Sequence, residues 1–313
     1  MFEDSRRNFA EIGEEVGISG NAVWSRYLKM KRAGAITGAT VQVNYKKLGY
    51  DALGTLLLDI ELSQLEKLNK YVRAQIPDAF GPVLAATKYN AILVMPIRNI
   101  SELGKIKEDL SRKITVAEIN SSLWTDVWFV PENLTLIPVR PVRTYGPESA
   151  GSSVFHADET DLTLIEAFAK DSRTSFRALA RQLDVSIDTV ARRYRRLMKE
   201  NVIVPRITID PKKIGYSALA HSYLKITAKH NMDAILNEIL QCSDVFYVMR
   251  FRGDNSVGAM FMVKNIQDMF EKEEHIARIE GVKRIETVVS QVTEKWPLPR
   301  TYTSVVGRNI IAT

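Results

Sequence analysis

The feature that most constrains this chain is that it repeats itself. Asp4-Ser5-Arg6, with Phe9 behind it, falls in register with Asp171-Ser172-Arg173 and Phe176. The register continues through Val16-Gly17-Ile18-Ser19 against Leu183-Asp184-Val185-Ser186, and Arg26-Tyr27 against Arg193-Tyr194. After a slip of one residue, Lys46-Lys47-Leu48-Gly49-Tyr50-Asp51-Ala52-Leu53 meets Lys212-Lys213-Ile214-Gly215-Tyr216-Ser217-Ala218-Leu219. Chance supplies one such block, but hardly several in order, so the chain reads as two copies of one unit.

Each copy opens with helical patterning. In the second copy Leu162, Leu164, Ile165 and Phe168 suit a helix opened by the acidic segment Asp158-Glu159-Thr160-Asp161. Ser175 can cap a second helix carrying Phe176, Leu179, Ala180 and Leu183 on its inner side. A tight turn through Asp184-Val185-Ser186 leads to a third helix, capped by Ser186, with Val190, Tyr194 and Leu197 facing inward. Two helices joined by a short turn, the second strongly basic outside, read as helix-turn-helix. Alternating segments follow, 35–43 in copy one and 202–209 in copy two, and read as the wing of a winged helix.

The rest of each copy alternates strand and helix. Copy one gives strands near 53–62, 82–87, 91–96 and 116–124, with helices at 63–76 and 101–113. Copy two gives strands near 218–227, 245–252, 257–263 and 282–292, with helices at 232–241 and 266–279. The order β-α-β-β-α-β predicts a ferredoxin-like sandwich, with both helices on one face of an antiparallel sheet. The fold class is therefore α+β: two copies of a winged helix-turn-helix followed by a ferredoxin-like βαββαβ effector domain. The expected boundaries are 1–49 and 50–144 for the first copy, 145–157 for a linker, 158–215 and 216–300 for the second copy, and 301–313 for a tail. Gly, Pro and Ser in the stretch 145–153 make the linker flexible by composition.

Composition adds exclusions. Of 313 residues, 45% are hydrophobic and 26% charged, an ordinary globular balance. The longest apolar runs fall far short of the roughly 20 residues that span a bilayer. With no secretory start, the sequence is read as that of a soluble cytoplasmic protein. Cys242 is the single cysteine, which rules out an intramolecular disulfide. His156, His221, His230 and His275 show no metal-ligand spacing, and no cofactor is expected. The net charge of +6 carries little weight alone; its placement matters.

Taken together, these segments resemble the Lrp/AsnC family of bacterial and archaeal regulators. The resemblance covers nearly the whole chain, twice. Its most specific parts are the third-helix run 186–197, the step Asn201-Val202-Ile203, and Asp210-Pro211-Lys212-Lys213-Ile214-Gly215-Tyr216. It implies a sequence-specific DNA-binding transcription regulator with small-molecule sensing domains, double-stranded DNA as partner, and self-association through paired sensor domains. Here that pairing can be internal, as a covalent pseudo-dimer, or between chains. The family also carries a Gly-Asp turn between its second and third strands, matched by Gly253-Asp254-Asn255. The resemblance places an effector such as an amino acid there, giving Arg252, Gly253, Asp254 and Asn255 as effector-binding candidates; a plain tight hairpin explains the same residues.

Copy one departs in two places. Thr87-Lys88-Tyr89-Asn90 lacks the Gly-Asp pair, and Met1 aligns with Phe168, so the first helix of the motif has no counterpart. The second departure has three readings: an upstream start, a neighbouring chain covering the gap, or a decayed module.

On the third helix of copy two, Arg192, Arg193, Arg195 and Arg196 crowd into two turns. Asp188, Thr189 and Arg192 are the candidates for base edges, with Arg193, Arg195 and Arg196 mostly on phosphates. Ser186 at the helix start, and Arg173 and Ser175 at the start of the helix before it, complete the expected DNA-binding set. Copy one offers the poorer set Asn21, Ser25, Arg26 and Lys29, with Trp24 either contacting DNA or packing internally.

Two rival functions fit the same architecture. One is a sirohaem decarboxylase, for which Arg250 and Arg252 could hold carboxylates, although the Asn- and aromatic-rich segment associated with those enzymes is absent after Val245. The other is a sensor or oligomerisation protein without DNA affinity. No nucleophile-base arrangement or phosphate loop supports any other enzyme.

Overall fold

The helix starts are fixed by short polar side chains that accept from otherwise orphaned backbone N–H groups. The computed structural model describes residues 4–84, 88–135, 154–253, 256–298 and 301–303. In the first copy Asn8 opens α1 (Phe9–Val16) and Ser19 opens α2 (Gly20–Arg32). There follow β1 (Ile36–Asn44), β2 (Ala52–Ile60), α3 (Leu65–Gln75), β3 (Phe80–Leu84), β4 (Ala91–Ile97), α4 (Ile100–Lys113) and β5 (Val116–Phe129). In the second copy Asp158 and Asp161 form a reciprocal capping box at α5 (Glu159–Lys170). Ser175 and Ser186 cap α6 (Phe176–Leu183) and α7 (Ile187–Lys199). The chain then runs through β6 (Ile203–Ile209), β7 (Ala218–Ile226), α8 (Met232–Gln241), β8 (Val245–Phe251), β9 (Ser256–Val263), α9 (Ile266–Ala277), β10 (Val282–Gln291) and a short β11 (Tyr302–Thr303).

The order βαββαβ occurs twice, and each set of four strands has the ferredoxin-like arrangement fourth-first-third-second. The two sets form one eight-stranded sheet, β10-β7-β9-β8-β5-β2-β4-β3. Alternation along the strands separates its faces. Leu56, Leu58 and Leu93 pack beneath α3 and α4 with Leu68, Leu103 and Leu110, while Ala220, Leu224 and Phe261 pack beneath α8 and α9 with Ile235 and Ile239. The seam between the sets is β5 against β8, with Trp124 opposite Phe251, Val127 opposite Met249 and Phe129 opposite Tyr247. β5 runs to Phe129, beyond the expected end at Trp124, and most of the residues that zip the seam lie in that extension.

The segments expected to form separate wings pair with each other. β1 lies antiparallel to β6 from Ile36 opposite Ile209 to Val43 opposite Ile203, and β11 adds on the other side of β1. Equivalent strands running antiparallel create a local two-fold relation between β1 and β6.

A buried polar network ties the second ferredoxin-like half together. Asp244, in the left-handed region at φ 64°, accepts from the Tyr216 hydroxyl at 2.5 Å and the Thr135 N–H at 2.7 Å, with Lys272 Nζ at 3.3 Å. Asp244→Asn keeps the shape and removes the charge that these donors address. It is expected to cost about 2 kcal/mol, the scale of a hydrogen bond to a charged group. A lower urea midpoint with unchanged secondary structure checks this.

Candidate DNA interface and effector cleft

The two helix sets are locked by an exchange of arginines. Ser5 and Ser172, both fully buried, meet at 2.6 Å between their hydroxyl oxygens. The Ser5 N–H donates to Pro205 O, and the Ser172 N–H donates to Ala39 O. Arg6 of the first copy donates to Ser172 O at 2.5 Å and Thr174 O at 2.9 Å, with its guanidinium 4.4 Å from the centroid of Phe176 and near Phe168 and Tyr194. Arg173 of the second copy donates to Ser5 O and lies over Phe9 at 5.0 Å and Tyr27 at 5.3 Å. Burial lowers the Arg6 pKa, which marks how far its charge has been drawn from water.

Arg173, expected on a DNA backbone, has its guanidinium engaged on the other copy. Arg193 is likewise engaged within the chain. Its Nη1 donates to Asp161 Oδ1 and Asp158 Oδ2, each at 2.8 Å, tying α7 to the start of α5. The Asp161 bond, then the Asp158 bond, raises the Arg193 pKa. Asp158 is held below the usual carboxylate range first by the Asp161 N–H it accepts, then by Arg193. Arg196 is half-exposed; it lies 4.3 Å from the Phe155 ring centroid and 3.7 Å from Asp161.

What remains on the outer side of α7 is a single stripe. Asp188, Arg192, Arg195 and Lys199 are all exposed and follow the spacing i, i+4, i+7, i+11, opposite the buried Val190, Tyr194 and Leu197. Thr189 is half-buried beside them, its hydroxyl 2.9 Å from that of Ser186. Ser175 and Ser186 serve as helix caps, with their oxygens on Ala178 N and Thr189 N. Arg177 and Arg181 of α6 are exposed as well and were not among the expected contacts; their i, i+4 spacing in the sequence was the available signal.

The repeat register transfers the stripe onto α2 as Asn21, Ser25, Leu28 and Arg32, leaving one cation where α7 has three. Asn21, Ser25, Arg26 and Lys29 are all exposed. Trp24 packs with Phe9 at 5.2 Å and stacks on Tyr27 at 5.8 Å, yet is 45% exposed, as is the nearby Val16 at 57%.

The effector candidates divide. Gly253 sits at φ 78° in the β8–β9 turn, while Asp254 and Asn255 lie outside the described residues. Beside Gly253 is an open cleft of about 760 Å³, with Lys225, Arg250, Arg252 and Lys283 among its walls. Arg250 is 3.7 Å from Asp233, and the Arg252 side chain is exposed. In copy one the corresponding region is closed on itself. Lys88 and Tyr89 bond Glu118 at 2.6 and 2.5 Å, and the Asn90 side chain bonds both the N–H and the carbonyl of Ile60.

The AsnC-type helix-turn-helix domain matches residues 1–31 and again residues 158–198. The transcriptional regulator Ptr1 of Methanocaldococcus jannaschii is 32% identical over 103 residues, covering 33% of this chain and 68% of Ptr1. The chain belongs to the Lrp/AsnC family. The regulatory protein AsnC of Escherichia coli is 29% identical to this Lrp/AsnC chain over 150 residues, 45% of it and 90% of AsnC. Among solved structures, the sirohaem decarboxylase NirDL in complex with an iron-uroporphyrin III analogue is similar, with a TM-score of 0.59 and 15% identity. That likeness covers 95% of this chain and 88% of NirDL, and at such identity it speaks to the fold. Among the described residues no helix is long and apolar enough to cross a membrane, and no cluster of His, Cys, Asp and Glu could hold a metal ion.

Proposed function

We propose that this Lrp/AsnC chain is a sequence-specific DNA-binding transcription regulator that reads DNA chiefly with α7. The observation that carries the reading is the exposed stripe Asp188–Arg192–Arg195–Lys199 on the second helix of a helix-turn-helix. Such a helix enters the major groove, where Arg192 can pair a guanine edge and Asp188 can accept from cytosine N4. Arg195, Lys199 and the α6 pair Arg177 and Arg181 then suit phosphates on either side. Because Arg6 and Arg173 lock the helix sets together, α2 is carried in a fixed relation to α7 and supplies a weaker second contact.

The test is binding to the duplex upstream of the protein's own gene, titrated with salt. Five or so phosphate contacts give a slope of log K against log salt of about −4 to −5. A flat salt dependence, or no binding at low salt, would sink the proposal.

The cationic cleft beside Gly253 supports an effector bearing a carboxylate, such as an amino acid. Calorimetry against a panel of the free amino acids should find a ligand whose affinity falls about tenfold in Arg252→Ala, the scale of one charge-assisted hydrogen bond. Equal affinity in the variant would remove the cleft from consideration.

The decarboxylase reading draws support from the NirDL likeness. Against it stands the exposed basic stripe of α7, which such an enzyme does not need. The apolar cavity between the sheet halves, at about 170 Å³, is too small for a tetrapyrrole, which would have to occupy the cleft of about 760 Å³ beside Arg250 and Arg252.

A further inference from the structure

The two helix-turn-helix units differ in what covers them. In the second, α5 lies over α6 and α7. Leu164, Ile165 and Phe168 are buried with Leu179, Val190 and Leu197, and the Phe168 and Tyr194 rings meet at 5.1 Å. The first turn of α5 is held by charge, with Asp158 and Asp161 on Arg193, and Asp161 3.7 Å from Arg196. α5 is thus an amphipathic helix with an acidic start, and α6 and α7 form the groove that receives it.

The repeat carries that groove onto α1 and α2 residue by residue. Leu179, Leu183 and Leu197 become Ile12, Val16 and Met30, and Arg193 and Arg196 become Arg26 and Lys29. Among the described residues nothing takes the part of α5 there. Leu197 is fully buried, whereas Met30 is 43% exposed. Leu179 is buried and Leu183 half-buried, whereas Ile12 is half-buried and Val16 exposed. Arg26 and Lys29 are both exposed, and neither has an ion pair or a side-chain hydrogen bond among the described residues. An exposed Val or Met alone would be ordinary surface. Here the apolar positions stand open together with two cations at the places that grip the acidic turn of α5 in the second copy.

We propose that the α1–α2 face is a docking site for an amphipathic helix of another protein. That helix carries two carboxylates in its first turn and an apolar stripe like that of Leu164, Ile165 and Phe168. Charge selects this occupant: Arg26 and Lys29 would repel the same face of a second copy. The α5 helix of a second copy is already buried in its own groove. The two long stretches outside the described residues, 136–153 and 304–313, hold Glu148 as their single side-chain carboxylate, so neither supplies the acidic pair.

The probe is a fluorescein-labelled peptide of residues 157–171, which carries the α5 sequence. It is expected to bind the full chain with a Kd of about 10–100 µM, weak because the helix must order as it docks. Arg26→Glu with Lys29→Glu should weaken it about tenfold or more. A peptide with Asp158→Lys and Asp161→Lys should fail on the wild-type chain and bind the charge-reversed one. In protein labelled with 13C at its nine methionine methyl groups, the signal that Met30→Leu deletes should move when the wild-type peptide is added. Absence of binding overturns the proposal, as does binding that leaves the Met30 signal in place or is indifferent to the charge reversals. A Met30 signal that shifts with protein concentration in the absence of peptide would put a second copy on this face, and overturns it too.

Discussion

Alanine at both Arg192 and Arg195 is expected to weaken specific DNA binding about 10²- to 10³-fold while leaving the fold intact. Both side chains are exposed on α7, and neither has an ion pair within the protein among the described residues. Their removal therefore exposes no cavity and orphans no buried partner. Loss of one good base contact costs about 1–3 kcal/mol, and loss of a phosphate contact adds to it while reducing the salt slope by about one. The paired control is Arg32→Ala, the one cation of the α2 stripe, for which less than about a tenfold loss is expected because α2 is the poorer reader. Fluorescence anisotropy with labelled duplex measures both. Equal losses from the two helices would mean that the copies read DNA alike, contrary to the difference between their stripes.

The second large effect concerns the arginine exchange. Arg6→Ala removes two hydrogen bonds from a charged group and a cation–π contact, and leaves the carbonyls of Ser172 and Thr174 facing a vacated space. At about 1 kcal/mol net for each hydrogen bond and about 1 kcal/mol for the ring contact, the single change should cost about 3 kcal/mol. Arg173→Ala should cost somewhat less, since among the described residues its guanidinium makes a single backbone bond, to Ser5 O. The two share the Ser5–Ser172 contact, so the double variant should cost less than the sum of the singles, about 4–5 kcal/mol in all. Arg6→Lys keeps the charge but not the planar fork, and should recover only part of the loss. Urea unfolding followed by the fluorescence of Trp24 checks the series, because Trp24 sits beside the Phe9 and Tyr27 rings that Arg173 covers. A double variant that unfolds like the wild type would show that the helix sets are held by β1 and β6 alone.

Local features were legible wherever short-range chemistry decides them. The helix at 232–241 falls on α8, and Ser175 and Ser186 cap the helices that their positions implied. The alternation in 218–226 separates Ala220 and Leu224, which face the helices, from His221, which faces the cavity. Features that depend on the distance between copies were not legible. Alternating apolar residues in 36–43 identify a strand, but nothing in the alternation says that its partner is 203–209 rather than a local wing. The shared Asp-Ser-Arg motif was read as evidence of repetition, and Arg173 as a DNA contact. Both arginines instead serve the junction that the repetition creates, which periodicity along one copy cannot reveal. The ion pairs of Arg193 are hidden in the sequence for a related reason: its carboxylate partners lie at the start of α5, more than thirty residues earlier. The β5 extension through Phe129 is not legible because its partner, β8, lies in the other copy, and nothing within one copy marks the strand as continuing to meet it.

The measurement that bears most directly on the account is the ratio of specific to non-specific DNA affinity for the intact chain. Duplexes selected by the protein from a random pool would be compared with scrambled duplexes of equal length at about 0.15 M salt. The account predicts a ratio of about 10³ or more, typical of a sequence-reading regulator, and its collapse towards one in the Arg192→Ala/Arg195→Ala protein. A wild-type ratio near one would contradict it: the basic stripe would then be an electrostatic surface, and the chain would not be a sequence-specific reader.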